Sequence, residues 1–313
     1  MSTTVSKRSD ATAATTSADR LRHSFSAMRV SFTWLGTRKS LSSDQRQQAA
    51  DQFGAEQKFI SADKKLIDTS HPAMLAVNQM RRQITDYWKG CSLPFPEPGI
   101  RLVRQADLEQ LHGQMDVFKM QLGVAVSHLQ NAYDEIKEQA RERLGSLYCE
   151  SDYPASFLGL FEVTWDFPNV EPPDYLRRLQ PEIYEQECSR IRTQFEEAVQ
   201  LAEQGFVVEL SALVSHLSER LSGGDDGKPK VFRDSAIENL TEFFERFRRL
   251  NVSSSSELDE LVERARGVVS GVHPHTLRND QSIRQQVATQ LSGVQSVLDG
   301  LMVDRPRRRL IRS

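Results

Sequence analysis

Nine apolar side chains recur at alternating steps of three and four along one stretch of this chain: Leu108, Leu111, Met115, Phe118, Leu122, Ala125, Leu129, Ala132 and Ile136. On a helix that spacing lines a single edge, and a seven-residue repeat held over four heptads marks a helix packed along its length against another. Asp107 precedes the run and Gln110 follows it by three, which is capping-box spacing. The stripe drifts on through Ala140, Leu144 and Leu147, so a helix is predicted over about 107–149, roughly 65 Å long at 1.5 Å per residue.

A second stripe runs from Leu176, Leu179, Ile183 and Cys188 through Ile191, Phe195, Ala198, Ala202, Phe206, Leu210, Leu213 and Leu217 to Leu221. It predicts another long helix over about 174–221. Tyr153-Pro154, Pro168 and Glu171-Pro-Pro173 separate the two. A connection of this kind has room to turn the chain back. The expectation is a mainly α fold with a small β element: a long antiparallel coiled-coil-like hairpin of 107–149 and 174–221, with shorter packed helices and a small antiparallel sheet at one end.

The sheet is read from alternation. Met28, Val30, Phe32 and Trp34 share one face of a predicted strand over 28–34, and Phe161, Val163, Trp165 and Phe167 share one face of a strand over 161–167. Two strands alone are marginal, so they are expected to pair and to pack on helices. Ile100 to Val103 suggests a short third strand. Helices are predicted over about 44–67 and from Pro72 to just before Gly90, the proline favouring a first helical position. Leu93-Pro-Phe-Pro-Glu-Pro-Gly99 is expected to be a rigid connector. Beyond a flexible Gly223-Gly-Asp-Asp-Gly227 loop, shorter helices are predicted over 234–250, 256–270 and 280–302. The whole of 23–302 reads as a single elongated helical domain.

Composition fits long helices with one apolar stripe: 38% of residues are hydrophobic and 27% are charged. No run of about 18 apolar residues is present. Cys91, Cys149 and Cys188 are odd in number and far apart, so no disulfide framework is expected and a reducing, cytoplasmic setting is the default. Residues 1–22 are rich in Ser, Thr and Ala and predict a disordered tail. The net charge of −3 hides an uneven distribution, with +5 over residues 1–40 and +4 over the basic C-terminal tail 303–313. In that tail Arg305, Arg307, Arg308, Arg309 and Arg312 are the clearest candidate contacts for nucleic acid or an acidic partner, weighed against a merely solvated run.

Local motifs for chemistry fail on inspection. Gly223 to Lys228 has one residue too few between its glycines for a phosphate loop, and Pro229 stands where Ser or Thr is required. Glu109-x-x-His112 has di-metal spacing without the second copy such sites need. His273-Pro-His275 supplies two ligands where zinc takes three or four. Ser270, in Gly267-Val-Val-Ser-Gly271, lacks the spacing and the strand of a nucleophile elbow. Phe243-Phe-Glu-Arg-Phe-Arg-Arg249 mixes aromatics with arginine in a way that single-stranded nucleic acid uses, but Phe243, Phe244 and Phe247 also fit a helix stripe, and core packing is the better account. No catalytic residue, metal or cofactor is expected.

Phe32-Thr-Trp34, the long helix, Val163-Thr-Trp-Asp-Phe-Pro-Asn-Val-Glu-Pro-Pro-Asp-Tyr175 and Phe232-Arg-Asp-Ser-Ala-Ile-Glu-Asn239 together resemble a domain-of-unknown-function family of helical proteins from bacteria, phages and integrative elements, over about residues 25–305. Members are often encoded beside a MoxR-type ATPase and a von Willebrand A-like protein. The resemblance implies such an ATPase as a partner; it carries no activity and no site residues. The expected function is a non-enzymatic scaffold or adaptor of a phage or mobile element acting through helix–helix contacts along the seam Leu108, Leu111, Met115, Phe118, Leu122, Leu129 and Ile136, filled within the chain or by a second copy. The alternative is a nucleic-acid-associated accessory protein using its basic tails.

Overall fold

In a computed structural model, the structure describes residues 16–222, 235–272 and 274–303. Its elements in chain order are α1 (Ser17–Ser24), β1 (Phe25–Trp34), β2 (Arg38–Ser40), α2 (Ser43–Phe53), β3 (Asp63–Lys65), α3 (Pro72–Gly90), β4 (Ser92–Pro94), β5 (Ile100–Arg104), α4 (Leu108–Asn131), α5 (Tyr133–Leu144), β6 (Phe161–Asp166), α6 (Asp174–Leu179), α7 (Pro181–Ser222), α8 (Ser235–Leu250), α9 (Ser256–Val269), α10 (Pro274–Asn279) and α11 (Gln281–Val303). The fold is mainly α with a small antiparallel sheet. Four strands have the order β4-β5-β1-β6, and β2 and β3 form a separate pair.

The stretch read from sequence as one domain forms two compact units. The first comprises the described residues of Met1–Ala27, Ser92–Gln105 and Asn169–Ser313; the second is Met28–Cys91 with Ala106–Pro168.

The first unit is organised by α7. Ile191, Phe195, Ala198, Ala202, Phe206, Leu210, Leu217 and Leu221 are buried, as their spacing predicts. Val199, Val207 and Val214 are buried beside them, so the apolar stripe is two rows wide. A helix with two rows needs several neighbours. α7 has them in α11, α1, α8, α9 and β4, with α11 the chief one. One apolar cluster joins them, and Phe206 meets Phe247 edge-on at 5.0 Å. The predicted helix over 174–221 is interrupted at Gln180, where Pro181 restarts it. Leu179 and Ile183, placed on the stripe by spacing, are exposed.

α1 corrects part of the disordered tail expected over 1–22. The Thr16 hydroxyl accepts the Asp19 N–H at 3.1 Å, the Asp19 carboxylate accepts the Thr16 N–H at 3.2 Å, and Leu21 is fully buried. A reciprocal cap and one anchoring leucine suffice where the average composition is polar. Residues 1–15 lie outside the described residues. The proline-rich connector is also partly corrected: Ser92–Pro94 pairs antiparallel with β5, Leu93 opposite Leu102, with Pro94 ending the strand.

The second unit is built on α3, α4 and β6. β1 and β6 pair antiparallel with Val30 opposite Trp165, Phe32 opposite Val163 and Trp34 opposite Phe161, so the predicted faces coincide. Trp34 donates from its indole to Asn78 Oδ1 at 3.3 Å, with the Arg81 guanidinium 5.1 Å over its ring. The predicted helix over 44–67 stops at Phe53, because Gly54 takes a left-handed φ of 61° and ends it. The chain then continues into β3.

The two long helices expected to form an antiparallel hairpin fall in different units and are each packed within their own. α4 packs on α3 and β6, and α7 packs within the other unit. Heptad spacing fixes how a helix edge is presented, but any apolar stripe of the right pitch fills it. Met74, Val77, Ile84 and Trp88 give α3 such a stripe. The long helix predicted over 107–149 also bends at Ala132 into α4 and α5. The bonds from Ala132 N to His128 O (3.2 Å) and from Ile136 N to Ala132 O (3.0 Å) persist, so this is a kink in a helical path that ends at Gly145.

Candidate functional site

The residues singled out by sequence divide sharply. On the seam, Leu111, Met115, Leu122, Leu129 and Ile136 are buried, while Leu108 and Phe118 are half-buried. The Phe118 ring meets Tyr87 of α3 at 5.4 Å. α4 packs on α3 and β6, so the buried part of the seam on that helix is covered within the second unit. Arg305, Arg307, Arg308, Arg309 and Arg312 lie outside the described residues, as do Gly223 to Lys228 and His273.

The remaining motifs resolve into structure. His112 accepts the Trp165 indole N–H at Nδ1 (3.1 Å) and holds Asp116 3.6 Å from Nε2, while Glu109 is exposed. His275 is hydrogen-bonded to Asn279. Ser270 is the exposed C-cap of α9. Phe243, Phe244 and Phe247 are buried in the core of the first unit, which rules for packing over base stacking. Cys149 is exposed and Cys91 and Cys188 are half-buried, and none of the three is in a disulfide. Among the described residues no group of three or more His, Cys, Asp or Glu is placed to hold a metal ion, and no helix is long and apolar enough to cross a membrane.

Three features that sequence inspection passed over are better candidates. The first is a ridge on the outer face of α4. Val117, Met120 and Val124 are 39%, 64% and 54% exposed. At 100° per residue they point almost directly away from the buried row of Leu111, Met115, Leu122 and Leu129. From Met120 to Asn131 the helix carries no Asp, Glu, Lys or Arg, whereas α5 directly after it carries seven in twelve residues. α4 is thus apolar on two opposite sides, one buried and one exposed. The missing charges are the signal by which the ridge was legible.

The second is a groove along the α8–α9 hairpin in the first unit, with a volume of about 650 Å³. Ile237, Phe244, Val262 and Val269 form its floor, and Thr241, Glu245, Arg248, Glu263 and Arg266 its rim. The hairpin is tightly set. Asn251 donates from Nδ2 to Asp259 Oδ1 (2.5 Å) and accepts the Ser253 N–H at Oδ1 (3.0 Å), while Ser255 caps α9 through the Leu258 N–H (3.3 Å). Ser253 sits at φ +50°, in the left-handed region.

The third is a polar cluster in the second unit. Asp152 holds two lysines at once, Lys39 Nζ at 2.6 Å from Oδ1 and Lys64 Nζ at 2.6 Å from Oδ2. Lys64 also donates to the Leu147 carbonyl at 2.7 Å. Both Lys64 and Asp152 are buried, and the hydrogen bonds from Lys39 and Lys64 hold the Asp152 carboxyl below the usual range. Burial pushes the phenols of Tyr133 and Tyr153 nearby up to about 12, and the Tyr133 hydroxyl donates to the Pro154 carbonyl at 2.6 Å. A hydrogen bond with Ser151 lowers the exposed Cys149 thiol. The cluster pins the 145–153 connection to the β2–β3 pair. Its charges are consumed internally, which suits bracing better than chemistry.

No protein-family model, no curated protein and no solved structure matches this chain.

Proposed function

We propose that this protein is a non-enzymatic scaffold or adaptor that works through helix–helix contact, and that the contact surface is the outer ridge of α4 rather than its heptad seam. The observation that supports the reading is the two-sided apolar character of α4, with one row buried on α3 and the opposite row exposed at Val117, Met120 and Val124. A straight row at steps of three and four is complemented by the edge of another helix. Its lack of charge favours an apolar partner edge over an acidic or basic one. By the family resemblance, a MoxR-type ATPase of a phage or mobile element is the partner to try first.

The test compares wild type with a triple variant, Val117→Gln, Met120→Lys and Val124→Gln, in affinity purification from the native host and in light scattering. The expected result is an unchanged circular dichroism spectrum and loss of whichever protein, or second copy, associates with the wild type. Equal association by both proteins overturns the reading. The basic tail motivates the second reading, binding to nucleic acid. Deleting residues 303–313 is then expected to abolish a DNA or RNA affinity that falls steeply with salt, and no affinity at low salt in the intact chain removes that reading.

A further inference from the structure

Beside the ridge, α4 carries a polar edge with a partner of its own. His112, Asp116 and Lys119 stand at steps of four and three, so they share one edge of the helix. That edge grips Trp165 of β6. The indole N–H donates to His112 Nδ1 at 3.1 Å, the two rings meet edge-on at 5.6 Å, and Lys119 Nζ lies 5.9 Å over the indole. β6 is the last strand of its sheet and pairs with β1 alone among the described residues. Trp165 thus ties an edge strand to the helix it packs on.

The bond fixes where the ring carries its proton. An indole N–H only donates, so Nδ1 presents a lone pair and the neutral ring is protonated at Nε2. Asp116 Oδ2 stands 3.6 Å from Nε2, too far for a hydrogen bond. A second proton goes to Nδ1, where it meets the indole donor to donor. The Trp165 bond is then lost, and the imidazolium and the Asp116 carboxylate become a charged pair. The neutral ring serves Trp165, and the cation serves Asp116.

The surroundings leave this exchange to those groups. Asp116 is the one carboxylate within ion-pair distance of His112 among the described residues. Glu109, one turn back on α4, is exposed, and Lys119 opposes a second cation at the indole. On β6, Phe161 and Val163 share the Trp165 face, while Glu162, Thr164 and Asp166 alternate to the other, with Asp166 paired to Arg29. α3 meets α4 through its apolar row and Tyr87, and α5 joins the far end of α4.

We propose that His112 is a proton-operated latch between α4 and β6. Neutral, it takes the Trp165 indole and holds the edge strand on the helix; protonated, it gives up the indole and turns to Asp116. The latch does not depend on what the ridge of α4 binds.

The test follows the indole N–H of Trp165 by nitrogen-15 NMR of the full-length protein, told from those of Trp34 and Trp88 by its loss in Trp165→Phe. Between about pH 8 and pH 5, the histidine range, its resonance is expected to move upfield in a single step. Its solvent exchange, corrected for the intrinsic effect of pH, is expected to become roughly fivefold faster, as for the loss of one ordinary hydrogen bond. His112→Asn keeps an acceptor where Nδ1 stood and takes no proton, so Trp165 is expected to stay protected across the whole range. Asp116→Asn removes the group that favours the cation, so the midpoint is expected to move to lower pH. An indole unchanged between the two pH values overturns the proposal. So does a step that persists in His112→Asn, or a midpoint unmoved by Asp116→Asn.

Discussion

α4 and α7 are both long and both apolar, and they differ in how many of their apolar rows are covered. α7 carries two adjacent rows and has helices and a strand over both. α4 carries two opposite rows and has α3 and β6 over only one side. Adjacent rows are satisfied by folding, because neighbours within one core lie side by side. Opposite rows require neighbours on both flanks, and among the described residues α4 has one set. The number of rows a helix carries, compared with the number covered by the described residues, is what sets α4 apart from α7.

The comparison is most severely tested in the covered rows. Phe243→Ala, in the core around α7, and Leu129→Ala, in the covered row of α4, are expected to cost about 3–5 and 2–5 kcal/mol respectively. Hydrogen exchange resolved by segment tells more than the totals. Leu129→Ala is expected to speed exchange in α3 and β6, its neighbours in the second unit. Faster exchange concentrated in α7 instead would restore the hairpin that spacing alone suggested.

A smaller effect is expected at the brace of the second unit. Asp152→Asn removes the negative charge that Lys39 and Lys64 share and leaves one amide oxygen to accept from only one of them. The site lies between the surface and fully buried extremes for an ion pair, so about 2 kcal/mol is expected from denaturant unfolding. The pH dependence has a definite sign. The folded carboxyl titrates below its unfolded value near 4, so its contribution is complete above that value and is lost as pH falls through the depressed one. Wild type and Asp152→Asn are expected to converge in stability as pH falls below about 4. A gap that widens there would assign the brace to something other than this charge.

Much of the scaffold was legible because period and punctuation are local. Both alternating strands, the helix opening at Pro72 and the three C-terminal helices follow from residues a few positions apart. Pairing was not legible, because Met74, Val77, Ile84 and Trp88 on α3 and the α7 stripe fit the seam equally well by pitch. α1 was hidden by its polar surroundings, with Leu21 its only large buried side chain. The ridge was legible in the uncharged stretch from Met120 to Asn131, but a search for one stripe per helix passes over a second. The groove was not, since it depends on how α8 and α9 stand against each other and on which of their charges are already paired. The Lys64–Asp152 brace joins residues far apart in sequence, and no local pattern marks it.

Ser253 offers a smaller, stabilising test in the first unit. A non-glycine residue at φ +50° is strained by contact of its Cβ with the backbone. Its N–H bond to Asn251 is a backbone bond that glycine retains. Ser253→Gly trades relief of that strain against a more flexible unfolded chain, and a gain of about 0.5 kcal/mol is expected from thermal unfolding. A loss would mean that the α8–α9 connection is held by the serine side chain and not by Asn251.

The smallest expected effect bears most directly on the comparison. Val124 is 54% exposed, on a row left open by the described residues. Replacing it by Gln removes little buried apolar area and substitutes a residue of higher helix propensity, so stability is expected to rise by a few tenths of a kcal/mol. The same change at Val126, two positions on and 4% exposed, puts a polar amide into the covered row and is expected to cost about 1–3 kcal/mol. The two substitutions share chemistry, helix and helical environment, and differ only in the row they occupy. A loss at position 124 comparable with that at 126 would show that the ridge is already buried in the folded protein. α4 would then be a second α7, complete within its own chain, with no row left for a partner.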